Sequence, residues 1–163
     1  MQAITHFVVG ALLQKFLLGT CSYPWNVIVI FFLAVLSHVP VDLFAFLTFH
    51  TPDPHPKWPF WLVTNVIFGI VGLLGAILLW NPYWWSMLAS TLIDIYDWGF
   101  LRSVQAIKRH KKPGYTLERY FIHTYLDKFR DAHMSWLPNW THKRRGVVPE
   151  ICIILVCVLF MWY

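Results

Sequence analysis

Two histidine–aspartate pairs at helical spacing, His38/Asp42 and His123/Asp127, combine residue types and separation that can do chemistry. At i and i+4 an imidazole and a carboxylate project from one helix face, so each unit can offer a nitrogen and an oxygen to a common ion. Asp94 and Asp97, at i and i+3, share a face in the same way. A mixed nitrogen–oxygen set without thiolate suits zinc, manganese or iron better than calcium. Several such groups together can hold two or three ions. They would clamp a phosphoryl oxygen and lower the pKa of bound water toward about 7.

The surroundings of these residues make the pattern unusual. His38 and Asp42 lie inside an apolar run, residues 26–49, and Asp94 and Asp97 lie inside another. A charged aspartate near the centre of a membrane helix costs roughly 2.5–3.5 kcal/mol, so three unpaired ones would cost about 8–10 kcal/mol. They must be paired, metal-bound, near the interface or facing water.

The chain of 163 residues is 58% hydrophobic and only 13% charged, against about 25% charged residues in an ordinary soluble domain. These values describe an integral membrane protein of one domain, residues 1–163. Cys21, Cys152 and Cys157 are odd in number and lack paired spacing, which argues against a disulfide framework and a cysteine-based zinc site. The first twenty residues lack a basic start and carry Gln14 and Lys15 late in the run. A retained first helix is therefore expected instead of a cleaved signal peptide.

The expected fold is an all-α membrane bundle of about four to five membrane helices plus one amphipathic interfacial helix. Five apolar stretches supply it: residues 3–19, 26–49, 59–80, 82–101 and 147–163. The second is kinked by Pro40. The third carries no charge and has Gly69, Gly72, Gly75 and Ala76 at spacings for close helix contact. The fourth follows a minimal Asn81-Pro82 break and should pack antiparallel to the third. Residues 116–134 read as the amphipathic helix, capped by Thr116, with Ile122, Leu126 and Phe129 as its apolar stripe.

Residues 102–146 hold 11 of the 13 Lys and Arg residues, so the positive-inside rule predicts a cytoplasmic segment there. Counting back gives an inside N-terminus and an outside C-terminus. Trp80, Tyr83, Trp84, Trp85, Trp162 and Tyr163 then form an outer aromatic belt. This topology brings His6, Asp42 and Asp94 to about 5–15 Å below the inner surface, at about 1.5 Å per residue, with His123 and Asp127 above them. A bacterial or archaeal cytoplasmic membrane is the expected location.

Four short patches carry a resemblance: Thr5-His6, Ser37-His38-Val39-Pro40-Val41-Asp42, Leu92-Ile93-Asp94-Ile95-Tyr96-Asp97, and Arg119 with His123-Thr124. Together they resemble elements of the membrane-bound metal-dependent hydrolase family, itself similar to zinc-dependent phospholipase C and P1-type nucleases. The acidic element here follows the His-x-x-x-Asp unit instead of preceding it. Ile93 and Trp98 stand where that family has proline and histidine, and Glu118 stands where it has a first histidine. The resemblance implies a divalent metal, zinc above all, held by His6, His38, Asp42, Asp94 or Asp97, and His123.

The expected function is hydrolysis of a phosphoester, such as a lipid-linked phosphate, at the cytoplasmic leaflet. His6, His38, Asp42, Asp94 and His123 are the expected ligands. Asp97 or Asp127 is expected to orient water or a ligand imidazole. His50 and Arg119 stand second. Lys108, Arg109, Lys111 and Lys112 would attract an anionic head group or anionic membrane lipid, and no groove-reading motif points to nucleic acid. The rival is a non-enzymatic membrane protein, a small transporter or assembly subunit, whose His/Asp pairs serve packing or proton relay. On that view Asp94 and Asp97 pair with Arg102, and His123/Asp127 is a solvated face.

Overall fold

The computed structural model describes residues 2–49 and 57–163, which are helical and turn segments without a strand. His50 lies outside the described residues. Among the described residues there are seven α-helices: α1 (Ala3–Leu17), α2 (Trp25–Leu43), α3 (Pro59–Ser90), α4 (Leu92–Asp94), α5 (Arg102–Lys111), α6 (Ile122–His133) and α7 (Val147–Trp162). Trp25–Leu47, Pro59–Ser90 and Arg144–Trp162 are each long and apolar enough to cross a membrane. Along α3, Leu62, Val63, Val66, Ile67, Ile70, Leu73, Leu74, Ile77 and Leu78 are all exposed. An apolar surface of that extent belongs against lipid. The protein is a helical membrane protein.

α1 is shorter, 15 residues, and forms the hub. It packs on α2, α3 and α7, burying Ile4 and Val8 with Phe68 of α3 and Cys157 of α7. Ile4 meets Gly72 and Gly75 of α3, while His6, Gly10 and Gln14 meet Ser90, Ser86 and Pro82. Along a straight helix Gly75 and Ser90 would stand about 22 Å apart. Their partners Ile4 and His6 are separated by a single residue. The chain therefore reverses within α3, at Asn81, whose backbone (φ −108°, ψ 109°) is not helical. The two arms run antiparallel and embrace α1, as the Asn81-Pro82 break predicts.

Polar residues near the ends of α1 stabilise this arrangement. Gln14 Nε2 donates to the Pro82 carbonyl at 2.9 Å, beside the reversal. Lys15 Nζ donates to the Phe160 and Met161 carbonyls at the end of α7. At the other end the buried Glu150 accepts from Gln2 N–H and Thr5 Oγ1–H at 2.7 and 2.6 Å. The bonds of Lys15 and Gln2 satisfy backbone groups that the ends of α7 and α1 leave open in an apolar medium, and the Thr5 bond gives the buried carboxylate a second donor.

Two helices differ from expectation. The stretch 82–101 does not run as one α-helix. It breaks at Thr91, resumes as α4, and passes through a π-helical turn, Ile95–Leu101, into α5. The amphipathic helix begins at Ile122, not at Thr116, whose hydroxyl only accepts from Glu118 N–H. The cap of α6 comes from elsewhere in the fold: the Asp97 carboxylate accepts from Ile122 N–H and His123 N–H at 3.1 and 2.8 Å.

The segment after α6 crosses the end of α2. Trp140 N–H donates to the Phe46 carbonyl at 2.6 Å, and Phe49 N–H donates to the Gly146 carbonyl at 3.0 Å. A Cβ on Gly146 would stand 2.7 Å from Phe49 N and Trp140 O and 2.8 Å from Thr48 C, all backbone. Gly146→Ala should therefore lower stability by about 1–3 kcal/mol, the cost of overpacking. Gly69→Ala, with open space at its Cβ, should be near neutral. Thermal unfolding of both variants in detergent checks this.

Candidate metal centre

Four ligand atoms converge from three elements: His38 Nε2 and Asp42 Oδ2 of α2, Asp94 Oδ1 of α4, and His123 Nε2 of α6. His38 Nε2 lies 3.1 Å from Asp42 Oδ2, 3.8 Å from Asp94 Oδ1 and 3.3 Å from His123 Nε2. His123 Nε2 lies 3.0 Å from Asp42 Oδ2 and 3.3 Å from Asp94 Oδ1. A tetrahedral zinc with bonds of about 2.0–2.1 Å separates its ligand atoms by about 3.3 Å. The spacings about the two Nε2 atoms, 3.0–3.8 Å, are of that order.

The outward-facing nitrogens are fixed by hydrogen bonds. His38 Nδ1 lies 2.9 Å from the Ser90 carbonyl oxygen, which only accepts, so that nitrogen carries the hydrogen. Ser90 ends α3 just before the break at Thr91, and its hydroxyl donates to the His6 carbonyl at 2.8 Å. His123 Nδ1 lies 2.7 Å from Asp97 Oδ2. Asp97 is fully buried and also caps α6, so one carboxylate sets both the start of that helix and the orientation of its imidazole. Both Nε2 atoms are thereby aimed at each other, an arrangement that needs a cation, proton or metal, between them.

The π-helical turn carries the acidic pair. Arg102 N–H reaches back five residues to the Asp97 carbonyl, the wide turn that often marks functional sites. Asp94 and Asp97 approach opposite nitrogens of the same His123 ring.

His6 of α1 completes the cluster. It is buried, stacks on His38 with ring centroids 4.1 Å apart, and places Nε2 3.3 Å from Asp42 Oδ1. Its Nδ1 has no hydrogen-bond partner among the described residues. Asp42 thus turns one oxygen to His6 and the other to His38 and His123. His6, His38 and Asp42 form one group able to hold an ion, and His38, Asp94 and His123 form another.

A cavity of about 550 Å³ opens beside this cluster, lined by Asp42, Asp94 and His123 and by Phe46, Trp98, Asp127, Arg130, Asp131, Thr141 and His142 among others. The expected ligands His6, His38, Asp42, Asp94 and His123 are brought together. Asp127 is not part of their contact: it lies one turn beyond His123 and pairs with Arg130 at 2.7 Å. The second His-x-x-x-Asp unit is therefore not a pair, because Asp97, Asp42 and Asp94 already hold His123.

Arg119 is exposed and contacts Tyr120. Lys108 and Arg109 engage Tyr115, and neither they nor Lys111 and Lys112 line the cavity. Arg102 stacks over Trp98 and Phe121 instead of neutralising Asp94 or Asp97. Residue spacing gives no signal for the Ser90 carbonyl or the Arg130 wall, and the basic run 142–145 hides His142.

Comparison with family models, curated proteins and solved structures finds no match to this chain. The site is defined by its own geometry.

Burial works against charge on His123, but hydrogen bonds to Asp42, Asp94 and Asp97 outweigh it and raise its pKa from 6.5 to about 10. In chelator-treated protein that charge stabilises the fold fully below pH 6.5 and is lost as pH rises through about 10. Melting temperature in detergent should therefore fall across this window, and His123→Gln should flatten the fall. Equal slopes would mean that His123 does not carry the charge.

Proposed function

We propose that the protein is a membrane-embedded, metal-dependent phosphoester hydrolase, with zinc as its metal. The close approach of two imidazole nitrogens to each other and to carboxylate oxygens of Asp42 and Asp94, beside a cavity, is the observation that carries this. His38, Asp42, Asp94 and His123 would hold the ion, and His6, whose Nε2 faces the second oxygen of Asp42, would help to hold a further one. Two carboxylates and two neutral imidazoles balance a divalent charge. A neutral centre is what an apolar interior tolerates. An ion held there supplies Lewis acidity toward a phosphoryl oxygen and acidifies water.

The chain's own groups do the rest. The Ser90 carbonyl and Asp97 hold the two rings in the ligating tautomer. The cavity admits substrate from the side of α6 and the segment after it, the basic part of the chain.

The reversal within α3 favours a bundle of four to five membrane segments. α6 fits a helix at the interface, exposing Ile122, Tyr125 and Phe129. With the basic segment in the cytoplasm of a bacterial or archaeal cell, the site faces the inner leaflet. A lipid-linked phosphate suits that position. On its other side the end of α2 meets the start of α7 at an apolar recess of about 480 Å³, lined by Pro40, Val41, Phe44, Leu47, Pro149, Cys152 and Ile153.

His38→Ala and Asp42→Ala should reduce zinc or manganese on the purified protein to background, as measured by elemental analysis. Asp97→Asn should weaken metal affinity by about 10–100-fold, the usual loss for an orienting carboxylate. Metal content unchanged in His38→Ala and Asp42→Ala would overturn the proposal and leave a protein whose His/Asp cluster serves packing.

A further inference from the structure

The wall of the cavity away from the centre has a cationic group that ligation does not use. Arg130 lies seven residues after His123 on α6, and its guanidinium sits over the Phe46 ring at 4.6 Å. Nη1 donates to the Asp42 backbone carbonyl at 3.4 Å, and Nη2 pairs with Asp127 Oδ1 at 2.7 Å. Nε is buried without a hydrogen-bond partner among the described residues. The side chain of Arg130 is 15% exposed, that of Asp127 52%.

We propose that Arg130 anchors a phosphate monoester in this cavity and that Asp127 is its stand-in counter-ion, displaced when the anion enters. This rests on the hydrolase proposal for the substrate class. Arg130 holds the carbonyl of Asp42, the residue whose carboxylate lies in the centre, so the two ends of the site meet on one residue. A phosphate dianion has oxygens enough to reach the centre with one and a guanidinium with two, and arginine binds phosphate in that forked manner.

Among the described residues Asp127 pairs with Arg130 through one oxygen from an exposed position, a contact that an entering dianion can replace. Asp131, also on the wall, is exposed to solvent, which weakens its repulsion of an anion. Thr141 and His142, on the segment crossing the end of α2, add polar groups to the same cavity. The monoester can be a soluble phosphate or a lipid head group. Both need the same anchor.

Calorimetry on the full-length protein in detergent, zinc-loaded and chelated, tests this with inorganic phosphate and with phosphatidic acid in mixed micelles. Arg130→Gln should weaken binding of the preferred probe at least about tenfold, with Arg130→Lys retaining part of it. Asp127→Asn should tighten it several-fold, an effect that misfolding cannot mimic. Tighter binding of phosphatidic acid assigns the anchor to lipid, and tighter binding of inorganic phosphate assigns it to a soluble ester.

Phosphate binding that is absent in both forms, or unchanged in Arg130→Gln, or weakened in Asp127→Asn, overturns the proposal. Arg130-dependent binding that ignores zinc supports the anchor while counting against the metal centre.

Discussion

A buried carboxylate in an apolar helix is the constraint on which this structure turns. Asp42 sits within α2 at 5% exposure, where an isolated charge would be strongly unfavourable. Three imidazoles surround it, from α1, from its own helix and from α6. Each of those elements has to arrive at the same point, so the polar cluster specifies how the apolar helices pack. Lipid-facing surfaces alone would leave rotation and depth of the helices poorly determined, because hydrocarbon is as good a neighbour as another helix.

The irregular backbone sits where this convergence demands it. The break at Thr91 follows Ser90, whose carbonyl orients His38, and the wide turn after α4 delivers Asp94 and Asp97 to opposite nitrogens of His123. The reversal at Asn81 brings the second arm of α3 back along α1, where Ser90 Oγ can reach the His6 carbonyl. Gly10 permits that approach: a Cβ there would stand 2.6 Å from Ser86 O and 2.7 Å from Ser90 Oγ. Irregular elements inside a membrane protein are tolerated where they line a polar site, and here they build one.

Much of this was legible beforehand. Hydropathy and charge located the apolar stretches and the basic segment, since a helix facing lipid must be apolar along its length. The pair His38/Asp42 was readable because i, i+4 contact is intrinsic to a helix. The same rule misled at His123/Asp127, where three distant carboxylates compete for the imidazole and Arg130 takes Asp127. Thr116 looked like a cap by local rules, yet the cap is Asp97, twenty-five residues before Ile122 in sequence.

Composition, periodicity and i, i+4 spacing by themselves determined a helical membrane protein with ionisable groups in apolar surroundings, because those properties depend on near neighbours along one helix. Which nitrogens face inward, that Asp97 and not Asp127 meets the His123 ring, and that Arg130 forms the far wall were decided only by tertiary structure. Each depends on atoms brought within about 3–4 Å from helices far apart in sequence, and hydrogen-bond and ligand geometry exist only at that range.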